Sequence, residues 1–172
     1  MRIFGIGLER TGTTSLAAAM RRMGFTTRHF PRTTNEIDEA DFSNDITVAC
    51  RYRELDALYP GSKFILTIRE EEAWLDSCVR WYGHLAEQRV LDFTAMAAAR
   101  LLYGAEIFAP ALWHIGRVEH EAAVAAYFAD RSGDLLVVDI CGGQGWEKLM
   151  PFLAPAMPAF PQENVFQAID NP

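Results

Sequence analysis

Residues 7–15 read G-L-E-R-T-G-T-T-S, a stretch bracketed by glycines that decides the fold of this chain. A short apolar run, 3–6, precedes it, and Leu16, Met20 and Met23 follow at helical spacing. This order predicts a strand, a loop and the start of a helix. Loop N–H groups, loop hydroxyl groups and the positive end of the helix dipole together form a site for phosphate or sulfate.

The stretch 7–15, called the anion-binding loop below, has the spacing of the nucleotide P-loop, G-x-x-x-x-G-K-[ST], with one departure. Thr13 occupies the lysine position, and the positive charge lies earlier, at Arg10. A triphosphate site without that lysine lacks the charge that reaches the β- and γ-phosphates. The loop therefore predicts an anion site in which Arg10 approaches the ligand from another direction.

A second predicted junction between a strand and a helix lies at residues 63–82. The strand K-F-I-L-T-I over 63–68 ends at Arg69, and the three glutamates 70–72 suit the first turn of a helix. Ser77 follows Arg69 by eight residues, so both side chains are placed to hold one phosphate. The alternative is an Arg69 paired with a following glutamate and a Ser77 that faces solvent.

These two motifs resemble those of the sulfotransferases that use 3′-phosphoadenosine 5′-phosphosulfate (PAPS). In that family a K-S-G-T-T or R-S-G-T-T loop binds the 5′-phosphosulfate, and residues 10–14 here read R-T-G-T-T. An arginine after a strand and a serine eight residues later bind the 3′-phosphate, as Arg69 and Ser77 would. Residues 145–153 also resemble the G-W-E-x-L-x-x-F-L segment of one subgroup, whereas the match is weakest around 84–112.

The resemblance implies transfer of a sulfuryl group from PAPS to a hydroxyl or amine of a small-molecule acceptor, with release of adenosine 3′,5′-bisphosphate and no metal. The implied donor-binding residues are Arg10, Thr11, Gly12, Thr13, Thr14, Ser15, Arg69 and Ser77. Arg10 stands where the family has its basic residue. Because arginine stays protonated, it stabilises charge but is a poor proton donor to the leaving group.

The acceptor needs a general base, and two residues are candidates. His29 follows the second predicted strand, and Asp45 precedes the third. Sulfotransferases use a histidine or an acid near the carboxyl edge of the sheet for this step. The alternatives are an Asp45 that caps or closes a turn and a His29 that is an ordinary loop residue. The remaining histidines, which lie in the helical middle of the chain, are weaker candidates: His84, His114 and His120.

Alternating elements predict an α/β fold with a parallel sheet flanked by helices on both faces, of the P-loop nucleotide-binding type, in a single domain over 1–172. The predicted strands are 2–7, 26–29, 46–49, 63–68 and 135–140. The predicted helices are 13–23, 51–58, 70–82, 84–102, 113–129 and a short one from Trp146, with an acidic loop over 35–45.

Composition excludes several classes of protein. A formal net charge of −7 argues against a nucleic-acid surface. No apolar run reaches the length of a membrane span, and three unclustered cysteines indicate reduced thiols in a cytoplasm without a zinc site. The oligomeric state is left open by the sequence.

Two other functions remain open from the sequence alone. A P-loop nucleotide or small-molecule kinase would use Asp139, at the end of an apolar strand, and Thr14 to hold magnesium. That reading leaves the Arg69 and Ser77 pair unexplained. A binding protein with weak catalysis is favoured only by the short central region.

Overall fold

The computed structural model describes residues 1–154, and within this range five strands form one parallel sheet. The strands are β1 (Ile3–Gly5), β2 (Thr27–His29), β3 (Phe42–Asn44), β4 (Lys63–Thr67) and β5 (Leu135–Val138). Their order is β2-β3-β1-β4-β5, which places β1 in the centre. Because all strands run in one direction, their carboxyl ends meet at one edge, where open α/β sheets bind ligands.

Helices connect consecutive strands and cover the sheet. They are α1 (Thr13–Arg22), α2 (Thr34–Asp38), α3 (Ile46–Ala49), α4 (Tyr52–Leu58), α5 (Glu71–Glu87), α6 (Phe93–Tyr103), α7 (Pro110–Tyr127) and α8 (Trp146–Leu153). A 3-10 helix, Ala129–Asp134, leads into β5. The acidic residues before α5 begin that helix as predicted, since the Glu70 carboxylate accepts the N–H groups of Glu72 and Ala73.

Both faces of the sheet are buried, which explains the continuous apolar runs of the strands. Ile3 and Ile65 face a core built with α1 and α8. Phe4 and Phe64, their neighbours along each strand, face a second core built with α4 and α7. The predicted fold class, an α/β parallel sheet flanked by helices on both faces, is therefore confirmed.

A third core lies beyond the carboxyl edge of the sheet. It is formed mainly by α5, α6 and α7, called the helical cap below, and contains the fully buried Trp74 and Trp113. Leu8 of the anion-binding loop packs into the same cluster. The cap thus rests directly on the loop.

The prediction of a strand at 46–49 was wrong, because this segment is helix α3 and the strand β3 lies earlier, within the predicted acidic loop. The β-branched Ile46, Thr47 and Val48 favour a strand, but they are buried in a helix instead. The Asp45 carboxylate accepts the Ile46 N–H at 2.7 Å and starts that helix. As a consequence, Asp45 follows β3 and does not precede the third strand.

The helix predicted over 84–102 is also interrupted. Helix α5 continues to Glu87, and α6 begins anew at Phe93. Asp92 caps the second helix, since its carboxylate accepts the N–H groups of Thr94 and Ala95. The acidic loop predicted over 35–45 contains helix α2 as well as β3, so that prediction was also wrong. The other predicted boundaries differ from the observed ones by a few residues. None of the helices described within residues 1–154 is long and apolar enough to cross a membrane.

Candidate active site

The anion-binding loop leaves β1 at the centre of the carboxyl edge. Gly7 packs so closely on β4 that a Cβ atom would lie 1.9 Å from the Thr67 hydroxyl oxygen. Gly12 has a φ of 99° and precedes α1, a conformation that other residues adopt at a cost. The first-turn N–H groups of α1, which have no carbonyl partner within the helix, therefore point into the site. Both glycines are required by the backbone geometry.

The side chain of Arg10 is held over the loop by contacts from α5. Its Nε donates to the Ser77 Oγ at 3.0 Å, and its guanidinium lies 5.1 Å from the centre of the Trp81 ring. Arg69 donates from Nη1 to the Arg10 carbonyl at 3.0 Å. The structure thus brings Arg10 into contact with Arg69 and Ser77, which lie 59 and 67 residues away in the sequence.

Arg69 carries an unused hydrogen-bond donor. Its Nε is buried and has no partner within the part of the chain that the structure describes. Arg117, from α7, donates to the Arg69 carbonyl at 2.5 Å and fixes the backbone at this point. A buried guanidinium N–H is expected to have a partner, and an anion at this edge would supply one.

His29, Asn44 and Asp45 meet at the ends of β2 and β3. The Asn44 amide donates to the Thr13 carbonyl at 2.7 Å, so its oxygen faces His29 Nδ1, 3.0 Å away. An amide oxygen only accepts, so it pairs with a proton on Nδ1. Nε2 lies 3.1 Å from the Asp45 carboxylate, which also only accepts, and 3.4 Å from the Thr14 hydroxyl, which can donate to the lone pair of a neutral ring.

A cavity of about 570 Å³ joins these groups. One wall, called the loop side, consists of Arg10, Gly12, Thr13, Thr14, Ser15 and Arg69, with His29 and Asp45 next to it. The opposite wall, called the helix side, is mostly apolar and consists of Phe30, Trp81, Tyr82, Leu85, Val90 and Ala95. Asp92, at the edge of the helix side, is paired with Arg32 at 2.6 Å. The two walls therefore differ in charge.

Two predicted site residues do not line this cavity. The Thr11 hydroxyl is buried, donates to the Leu8 carbonyl at 2.5 Å and lies 2.6 Å from the Thr67 hydroxyl, so it braces the loop from inside. Ser77 is also buried and reaches the site through Arg10. Thr13 lines the cavity, but its hydroxyl donates to Asp45 at 3.1 Å.

The remaining predicted alternatives lie away from the cavity. His120 is buried against the Ile6 carbonyl, and burial lowers its pKa. His114 faces Glu71 at 3.1 Å on the surface. Asp139 accepts the Gly142 N–H in a turn after β5 and does not line the cavity. Within residues 1–154 no cluster of three or more His, Cys, Asp or Glu residues suited to a metal ion occurs.

The sequence analysis overlooked three residues of this site. Asn44 contacts His29 Nδ1, Arg117 donates to the Arg69 carbonyl, and Glu9 lines the cavity although the residue is only 8% exposed. Burial raises the pKa of Glu9, while hydrogen bonds from Tyr103 and Tyr82 oppose that rise. Of these three residues, only Glu9 could have been noticed in the sequence. An acidic residue inside an anion-binding loop would repel the ligand unless its carboxyl group is buried and hydrogen-bonded.

Comparison with known proteins adds an independent finding. A family model described as "Sulfotransferase domain" matches residues 2–41 and 34–169, which together cover nearly the whole chain. The matched region contains every residue of the cavity described above. No curated protein matches the chain.

Proposed function

The chain belongs to the sulfotransferase-domain family, and from this membership we propose that it transfers a sulfuryl group from PAPS to a hydroxyl or amine of a small molecule. The observation that carries the proposal is the convergence of Arg10, Ser77 and Arg69 on one anion-binding loop. A protein that binds a single phosphate with the loop alone would not need a second cationic residue, Arg69, or the buried Ser77 eight residues after it.

The loop side fits the two anionic ends of PAPS. The N–H groups of residues 12–15 and the hydroxyls of Thr14 and Ser15 would hold the 5′-phosphosulfate. Arg69, with its buried Nε lacking a partner among the described residues, would hold the 3′-phosphate. Ser77, which is buried and bonded to Arg10, would act on the ligand through Arg10. When bound, PAPS supplies an activated sulfuryl group and a leaving bridging oxygen on which negative charge grows.

Arg10 is proposed to stabilise that charge. Its Nε is occupied by Ser77, which leaves the two terminal nitrogens of the guanidinium to face an anion. Preorganised donors of this kind are effective because they need no rearrangement during the reaction. Since arginine retains its proton, the leaving group must take a proton from elsewhere or depart as an anion.

His29 is proposed as the general base. In the neutral form with the proton on Nδ1, its Nε2 carries the lone pair and is exposed to the cavity, where an acceptor hydroxyl would lie. Asp45 stands 3.1 Å from the same nitrogen and would stabilise the imidazolium that forms when His29 takes the proton. Asp45 is a poorer base than His29 because its two oxygens already accept from Ile46 and Thr13.

The helix side is proposed to bind the acceptor. Its side chains are mainly aromatic and aliphatic, and the charge of Asp92 is paired with Arg32. A pocket of this composition favours a largely apolar acceptor with one hydroxyl or amine over a highly charged one.

The deciding experiment measures transfer of labelled sulfate from PAPS to a panel of phenols, aliphatic alcohols and amines, with and without EDTA. We expect transfer to continue in EDTA. Calorimetry should show tighter binding of adenosine 3′,5′-bisphosphate than of ATP with magnesium. Magnesium-dependent binding of ATP, without binding of the bisphosphate, would favour a kinase and overturn the proposal.

The role of His29 has its own test. His29→Gln removes the base and should lower turnover by roughly a hundredfold or more, while the affinity for adenosine 3′,5′-bisphosphate stays within threefold. Asp45→Asn should have the smaller effect of the two. Parent turnover in His29→Gln would exclude it as the base.

A further inference from the structure

A buried carboxyl group lies within the anion-binding loop, directly before Arg10. The Oε1 atom of Glu9 accepts from the Tyr82 hydroxyl at 2.7 Å and from the Trp113 indole N–H at 3.2 Å. Its Oε2 accepts from the Tyr103 hydroxyl at 2.6 Å. No basic side chain forms an ion pair with it among residues 1–154. The carboxyl group is thus held by neutral donors alone.

The three donors come from three helices and pack against one another. Tyr82 belongs to α5, Tyr103 to α6 and Trp113 to α7. The Tyr103 and Trp113 rings stack with centres 4.2 Å apart, and Tyr82 meets Trp113 edge-on at 5.9 Å. The Glu9 carboxyl group is therefore the acceptor that the whole helical cap shares.

The backbone around Glu9 is restrained as well. Trp74 of α5 donates from its indole N–H to the Glu9 carbonyl at 2.9 Å. The next residue, Arg10, has a φ of 65°, which is uncommon for a residue other than glycine and persists only where the surroundings enforce it. Arg69 restrains the carbonyl on the other side of Arg10. The side chain and carbonyl of Glu9 thus fix one end of this conformation.

Packing alone does not explain a buried acid at this position. An ionisable group with no charged partner is costly to bury, and apolar residues of similar size often stabilise a core better. Leu8, the preceding residue, shows that the same cluster accommodates an aliphatic side chain. A carboxyl group is needed at this position only if its several acceptor sites serve to orient the three helices of the cap relative to the loop.

We propose that Glu9 is a positioning residue, whose carboxyl group fixes Arg10 and the Tyr82 wall of the cavity relative to each other by accepting from all three cap helices. Glu9 touches neither reacting group in this role. It acts through the Arg10 backbone on the loop side and through Tyr82 on the helix side. The turnover part of its test rests on the proposed sulfuryl transfer.

The test compares Glu9→Ala with Glu9→Gln. Glutamine keeps the shape, accepts from Tyr82 and Trp113, and donates to a Tyr103 hydroxyl that turns to accept. We expect Glu9→Gln to keep kcat within threefold of the parent and Glu9→Ala to lower it at least tenfold. The affinity of Glu9→Ala for adenosine 3′,5′-bisphosphate should fall by a smaller factor than kcat, because Arg69 and the N–H groups remain although the loop is less rigid.

Tyr103→Phe provides a second, milder variant in case Glu9→Ala does not fold. Tyr103 does not line the cavity, so a loss of kcat of threefold or more at parent nucleotide affinity indicates action through Glu9. The matched control is Tyr127→Phe, which removes another hydroxyl–carboxylate bond, to Asp56 at 2.7 Å, at the far end of α7. It should lower the melting temperature without changing kcat.

Hydrogen exchange separates this inference from the proposed function. If the parent transfers no sulfate, the proposed function fails, but the amides of residues 8–14 should still exchange faster in Glu9→Ala than in Glu9→Gln, with β1 and β4 unchanged. Equal loss in both variants, or parent turnover and loop protection in Glu9→Ala, would overturn the positioning role.

Discussion

The loop side and the helix side of the cavity are built in different ways. The loop side comes mostly from nine consecutive residues whose conformation follows from two glycines and the start of α1. The helix side comes from separate segments whose positions depend on contacts such as Tyr103 to Glu9, which are 94 residues apart in the sequence. Local backbone geometry builds the first wall, and tertiary packing builds the second.

The two walls also differ in electrostatics. The positively charged Arg10 and Arg69 line the loop side, whereas the helix side has its acidic residue, Asp92, paired with Arg32. A chain with a net charge of −7 does not attract an anion by its overall field. Under the proposed function, an anionic donor binds at the loop side and the acceptor at the helix side, so substitutions in the two walls should have different effects.

The largest effect is expected on the loop side, at Arg10. Arg10→Ala should lower sulfate transfer by about a hundredfold to a thousandfold, because it removes a preorganised charge at the leaving oxygen. Its melting temperature should stay near that of the parent, since the side chain is exposed. Arg51→Ala, which breaks only a surface pair with Glu54, is the control. Parent turnover in Arg10→Ala would contradict the assignment.

Substitution of Arg69 is expected to cause a smaller loss, which is confined to nucleotides that carry a 3′-phosphate. Arg69→Ala should weaken binding of adenosine 3′,5′-bisphosphate by roughly ten- to a hundredfold, the value of one charge-assisted contact. Binding of adenosine 5′-phosphate should change much less in the same titration calorimetry. If both nucleotides lose affinity equally, Arg69 does not recognise the 3′-phosphate.

A substitution on the helix side should change the KM of the acceptor and leave the affinity for the donor nucleotide unchanged. Leu85→Asn places a polar group in the apolar wall and should raise the KM of an apolar acceptor by about five- to tenfold. Calorimetry with adenosine 3′,5′-bisphosphate should give the parent affinity. Leu101→Asn, at a leucine that is 72% exposed on α6, serves as the matched control. A fall in nucleotide affinity would show that the two walls are not separate.

The smallest effect concerns stability and pH at the junction of the two walls. Burial raises the pKa of Glu9 above the ordinary 4.5, with Asp45 adding to the rise and the hydroxyls of Tyr82 and Tyr103 opposing it. Burial also raises the pKa of the nearby Cys78 thiol to about 12, so this thiol is neutral at neutral pH. The folded state thus holds the Glu9 proton more tightly than the unfolded state.

The sign of the pH dependence follows from this difference. The contribution of Glu9 to stability is complete below its ordinary pKa and is lost as pH rises through the raised value. The glutamine in Glu9→Gln does not titrate. The melting temperature of this variant, relative to that of the parent, should therefore be higher at pH 7 than at pH 4. The gain should be a few degrees, at roughly 2–4 °C for each kcal/mol. An unchanged difference between the two pH values would mean that Glu9 titrates normally.

The sequence by itself determined the sheet class, the loop bracketed by Gly7 and Gly12, and the place of Arg69 and Ser77 at one strand-to-helix junction, although the Ser77 hydroxyl accepts from Arg10 in the structure. These features depend on the periodicity of apolar residues, on the positions of glycines and on the spacing across one strand-to-helix junction. All three are local properties of the sequence. The prediction failed where local and tertiary preferences disagreed. Ile46, Thr47 and Val48 have strand propensity, yet the Asp45 cap and burial against the sheet make them helical.

Only the tertiary structure decided the partners of the site residues. Asn44 contacts His29 Nδ1 because β2 and β3 are neighbours, and Glu9 meets three aromatic donors because α5, α6 and α7 pack on one loop. Nothing in the spacing of these residues indicates such contacts. Hydrogen bonds act over about 3 Å, so they depend on which elements the fold places side by side, and that is set by burial of the whole chain.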